Sequence, residues 1–166
     1  MSLASVQHYA FSCGLLLVPA SLWNLALTRR LPPAFSQAGT EREIPALLVF
    51  AENALRFGVF ALPFFMPLEV SAPASRRALL LYAVGTLVYF ASWLPLIGFP
   101  ASSWSRSALG FLAPAYTPFL WLLGIALLGQ KLFWSAAYRW WMYLVLALAF
   151  LAAHITHMAR VWARSR

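Results

Sequence analysis

The sequence contains no aspartate, four glutamates, a single lysine and a single cysteine. With Cys13 alone, an intrachain disulfide, a zinc ribbon and a CxxC redox motif are all excluded, and the residue reads as a small buried apolar side chain. No serine or cysteine sits in a recognisable nucleophile elbow, and the absence of aspartate removes the usual third member of a triad, so nucleophilic catalysis has no support. Charged residues make up only 10% of the chain, against about 25% in soluble domains. No lysine or arginine precedes Tyr9, whereas a secretory signal opens with a basic region, so the first apolar segment is expected to be a retained helix.

Hydrophobic residues account for 63% of the chain. Apolar stretches near the length needed to cross a hydrocarbon layer recur at 9–28, 44–66, 78–99, 107–128 and 138–159. The expected fold is all-α: a polytopic integral membrane bundle of five transmembrane helices forming one transmembrane domain over residues 1–166. The net charge of +8 is spread singly or in pairs over helix ends, not along one face, which excludes nucleic acid as the natural partner. Arg29, Arg30, Arg42, Arg106, Arg160, Arg164 and Arg166 fall on one side of a five-span topology, and Arg76, Arg77, Lys131 and Arg139 on the other. That imbalance predicts a multi-pass cell-membrane protein with its N-terminus outside and its C-terminus in the cytoplasm. Trp104, Trp134, Trp140, Trp141 and Trp162 fall at helix ends, as aromatic belts do. The tail with Arg160, Arg164 and Arg166 suits anionic lipid headgroups.

One apolar stretch is interrupted by charge: VFAENALRFGVF, residues 49–60. Counted from residue 44, Glu52 lies about 12 Å and Arg56 about 18 Å into the second span. The two are four residues apart with the acid first, the favourable order for a pair on one helix face, and Asn53 lies three before Arg56. Charges at this depth are retained where they are paired, hydrated or needed by a reaction. A buried ion pair pinning two helices is the plain explanation, but it does not predict that other polar groups gather at the same level. They do gather once each span is counted from its proper end. Asn24 comes late in the first span with Ser21 and Thr28 on its face, and Tyr82, Thr86, Tyr89 and Trp93 form a stripe down the third. Tyr116 and Thr117 come early in the fourth, and His154 and His157 late in the fifth. The reading is a polar pocket opening to the cytoplasmic side. In the fourth span Pro114 and Pro118 predict a bend beside Tyr116 and Thr117, with freed backbone groups tolerated only against protein or a water-lined cavity.

The run HITH at 154–157 places two imidazoles on adjacent turns. With Glu52 they could supply a zinc or iron donor set, but no HExxH or similar run accompanies them. Hydrogen-bonding histidines, or a proton-handling His154, are the preferred reading, with neither a metal nor another cofactor expected. His8 precedes the first span and is expected to be solvated. No internal repeat of the transporter kind is visible.

Three functional classes follow. The first is a protein that binds or transports a small amphipathic or anionic molecule. Arg56 would attract the anion, Asn24 and Asn53 would orient it, and Tyr89, Trp93, Tyr116 and Trp121 would face its apolar part, with Thr117 and His157 completing the pocket. The second is a membrane-embedded enzyme acting on a lipid or isoprenoid-like substrate, with Glu52 or His154 as general acid or base. The third is an assembly subunit needing only the ion pair. Membrane lipids and the small ligand are the expected partners, and a homo-oligomer is compatible with this composition.

Overall fold

A computed structural model describes residues 11–27, 30, 44–134 and 137–164, and the structural statements that follow concern these. Thr28, Arg29, Arg42, Arg166 and His8 lie outside them. Among the described residues the chain is helical, with no strand and only an isolated bridge between Ser12 and Pro67. The helices are α1 (Cys13–Leu27), α2 (Ala46–Phe65), α3 (Pro73–Gly98), the single turns α4 (Ser103–Arg106) and α5 (Ala108–Phe111), α6 (Ala113–Leu128) and α7 (Trp140–Arg164). Each long helix is rich in leucine and alanine, whose side chains, not branched at Cβ, lose little freedom on helix formation. Proline opens α3, where its missing amide hydrogen has no helical partner to lose.

The helix ends depart from the apolar stretches in one respect. α3 begins at Pro73, ahead of residue 78, and α7 continues past residue 159 to Arg164. The extensions contain Arg76, Arg77, Arg160 and Arg164, and arginine is a strong helix former although it ends a hydropathy run. Three helices, α2, α3 and α7, are long and apolar enough to cross a membrane. α1 and α6 are apolar but shorter, reaching only about 22–24 Å at 1.5 Å per residue. The expectation of five equivalent spans is thus met in full by three.

The outward faces are apolar. Leu47, Phe50 and Phe57 of α2 are more than two-thirds exposed, and Leu22, Leu25, Leu80 and Leu87 are also exposed. Such surfaces are costly in water and ordinary in lipid. Inside, two tight helix pairs carry the packing. α3 and α6 approach so closely that a Cβ on Gly85 would stand 2.6 Å from the Trp121 amide nitrogen, and one on Gly124 would stand 2.7 Å from Tyr82 Cα. Small residues of this kind let backbones touch where there is little hydrophobic gain from association. α2 and α7 form the second pair, where the buried Tyr143 hydroxyl donates to the Val59 carbonyl at 3.3 Å. α1 is held to α3 by two tyrosines: Tyr82 donates to the Leu16 carbonyl at 2.6 Å and Tyr89 to Asn24 Oδ1 at 2.5 Å. Trp23 stacks on Phe90 beside them, with ring centroids 4.5 Å apart. Backbone bonds from Cys13 N to Met66 O and from Leu68 N to Phe11 O tie the start of α1 to the end of α2.

The close approach makes a prediction. Gly85→Leu and Gly124→Val should each lower the thermal unfolding midpoint of detergent-solubilised protein, the overpacking costing about 1–3 kcal/mol or more because backbone must move. Gly98→Ala, where an added Cβ meets nothing within 4 Å, should leave the midpoint unchanged.

Candidate functional site

Glu52 sits on the face of α2 turned to α7 and is 2% exposed. Its Oε1 accepts hydrogen bonds from the Arg56 guanidinium and from His154 Nδ1 at 2.9 Å, and its Oε2 accepts from His157 Nδ1 at 2.5 Å. Facing a carboxylate, both Nδ1 atoms act as donors, which fixes the proton on that nitrogen in each ring. The α-helix explains the arrangement. Arg56 is one turn beyond Glu52 on the same helix, and His154 and His157, three apart, project from one face of α7. His154 is further held by Phe150, whose ring stacks on the imidazole at 5.5 Å and 11°. The Arg56 guanidinium carbon stands 5.9 Å from the centre of the same Phe150 ring. A buried charge is tolerated when its lone pairs are occupied, and here three donors from two helices occupy them.

Beside this cluster lies a cavity of about 370 Å³. Its polar residues come from four helices: Asn24 of α1, Arg56 of α2, Tyr89 and Trp93 of α3, and His154 of α7. Phe60, Phe111, Trp121 and Phe150 contribute rings, and Pro114, Ala115 and Pro118 contribute a wall of small, rotamer-poor side chains. That wall is where the sequence predicts a bend, and the chain there is divided into separate pieces. α5 ends at Phe111, α6 begins at Ala113, and α6 is interrupted at Thr117 between its two prolines. Thr117 sends both its amide and its hydroxyl to the Ala113 carbonyl, at 3.0 and 2.7 Å, which absorbs the break locally. The Nε1 of Trp121 is buried with no acceptor among the described residues, an arrangement that costs about 1–3 kcal/mol until an acceptor arrives.

Eight of the residues singled out from sequence are brought into one neighbourhood. Asn24, Arg56, Tyr89, Trp93, Trp121 and His154 line the cavity, while Glu52 stands behind it in contact with Arg56 and His154, and His157 bonds Glu52. The other three stand apart. Asn53 is exposed on the outer side of α2, and Tyr116 is exposed with its hydroxyl on the Leu109 carbonyl at 3.2 Å. Thr117 is buried against Ala113 and Ser92. Phe60, Phe111, Phe150 and Met158 of the lining went unnamed in the sequence reading, yet a signal for three of them existed. Phe60 lies four residues after Arg56, Phe150 four before His154 and Met158 four after it, each on the same helix face as its polar neighbour.

Among the described residues no group of three histidine, cysteine, aspartate or glutamate side chains is disposed to hold a metal ion. Comparison with protein-family models, with curated protein sequences and with solved structures finds no match to this chain.

The cluster predicts an order of stabilities. Glu52→Leu strands Arg56 and deprives both imidazoles of their acceptor, and should cost about 3–5 kcal/mol. His157→Leu removes one donor of three and should cost about 1–3 kcal/mol. The paired change Glu52→Leu with Arg56→Leu should recover part but not all of the loss, because His154 and His157 still lack their acceptor. Unfolding midpoints of the three variants in one detergent test the order, and equal midpoints for Glu52→Leu and the paired variant would refute it.

Proposed function

We propose that this chain is a five-span membrane protein that binds or transports a small amphipathic anion. On this reading the ligand's charged group pairs with Arg56 beside Asn24 and His154, and its apolar part lies against Tyr89, Trp93 and Trp121. The observation that carries the reading is the division of labour around Arg56. Its guanidinium touches buried Glu52 on one side and lines the cavity on the other, with 46% of the side chain exposed. Glu52 keeps two histidine donors if Arg56 turns toward a ligand. A cavity with apolar walls and a few convergent polar groups is the usual form of a small-molecule site. The interrupted α6 supports the same reading, since broken helices in membranes are tolerated where they line a cavity. We place α1 and α6 in the membrane as the remaining two spans, with the N-terminus outside and the C-terminus in the cytoplasm of a cell membrane.

One observation favours a second reading, an acid–base enzyme acting on a lipid or isoprenoid-like substrate. His154 lines the cavity while its Nδ1 is held by Glu52, the way a catalytic imidazole is oriented by a carboxylate. Under that reading Glu52 is a positioning residue and His154 the group that meets substrate.

Mass spectrometry of the lipids and small molecules that copurify with the protein tests the proposal. The wild type should retain an anionic amphiphile, a folded Arg56→Gln variant should retain roughly tenfold less or worse, as loss of an ion pair worth about 1.4 kcal/mol would give, and Asn53→Ala should retain it unchanged. A folded Arg56→Gln protein with the wild-type complement would sink the binding reading. For topology, a C-terminal reporter that is active only in the cytoplasm should be active, and its silence would reverse the orientation.

A further inference from the structure

Resting on the binding reading above, the geometry points to a ligand class: we infer that the cavity selects a planar aromatic or polycyclic monoanion over a flexible acyl chain of the same size. Aromatic residues make up 16% of the sequence but six of the fourteen residues lining the cavity: Phe60, Tyr89, Trp93, Phe111, Trp121 and Phe150. Flexible aliphatic side chains contribute only Leu27 and Met158. Pro114, Ala115 and Pro118 have no side-chain rotamers with which to fold around an irregular guest.

The rings are also fixed in place. Tyr89 is tied by its hydroxyl to Asn24 and packs on Trp121 with centroids 6.4 Å apart, and Phe150 lies flat on His154. Fixed rings present faces and edges that match another ring by quadrupole as well as by area. A long acyl chain entering the same walls loses the freedom of each of its bonds and gains no such match. Size agrees with this. At the roughly 30 Å³ that one water occupies, 370 Å³ holds about a dozen non-hydrogen atoms, the scale of a two-ring carboxylate. Arg56 is the one arginine or lysine among the cavity's lining residues, which matches one carboxylate.

The test compares two probes of equal carbon number, 2-naphthoate and undecanoate, by equilibrium dialysis against the protein in lipid nanodiscs, with binding to empty nanodiscs subtracted. The planar acid should bind about tenfold more tightly, the order that one or two ring contacts provide. Phe60→Leu, which removes a half-buried ring outside the ion cluster, should narrow the gap to about threefold. Undecanoate binding as tightly as 2-naphthoate overturns the inference and leaves the anion-binding reading standing. Binding of neither acid above the empty nanodiscs overturns both. The wild-type comparison requires no variant to fold.

Discussion

One carboxylate organises this protein. Glu52 is almost wholly buried, and every bond it accepts comes from a side chain that also shapes the cavity or supports a group that does. In a low-dielectric interior a lone carboxylate is among the costliest groups to bury, so its presence requires α7 to lie against α2 in one register. A one-turn slip would carry His154 and His157 past the acid and leave it with Arg56 alone. Apolar contacts between α2 and α7 tolerate such slips more readily, since one leucine packs much like the next. The register of the pair, and with it the height of the cavity, is therefore an electrostatic specification laid over a permissive hydrophobic one.

The interrupted fourth segment depends on that specification as well as contributing to it. A straight helix between α3 and α7 would fill the space where Pro114, Ala115 and Pro118 stand back. The tight contact of Gly85 and Gly124 fixes the later part of α6 against α3, while the earlier part is made of short pieces, and Ser107 caps the amide of Gly110 there. Wall and floor are thus built in opposite ways, one by close approach of small residues and the other by separate turns with their own caps. The hydroxyl of Ser105 donates to the Pro95 carbonyl at 2.9 Å, tying α4 to the end of α3.

The sequence made some of this legible and hid the rest, for identifiable physical reasons. The Glu52–Arg56 pair follows from spacing alone, because partners four apart on one helix need no knowledge of the neighbours. The meeting of Glu52 with His154 and His157 was visible only as a shared depth, since counting residues along a helix gives height but not which way a side chain faces. Asn53 shows the limit. It adjoins Glu52 in sequence, yet one residue is about 100° of turn, enough to put its side chain on the outer surface. Tyr116 was placed by depth beside the bend that Pro114 and Pro118 predict, and depth along a divided segment does not tell which way the side chain faces; it is exposed. Hydropathy also stops short of the arginine-bearing turns that extend α3 and α7.

The partners of Glu52 also differ in when they exist. Arg56 is four residues away, but His154 and His157 are 102 and 105 residues further along the chain. At about 5–20 residues per second of synthesis, α2 waits on the order of 5–20 s before α7 has been made. Throughout that interval the acid has one partner available, carried on its own helix. The neighbouring arginine lets α2 enter the bilayer as a self-neutralised unit, and the histidines then take up the remaining lone pairs when the last helix arrives. Seen along the time axis of biogenesis, the ion pair is an escort for a charge whose final company has not yet been translated.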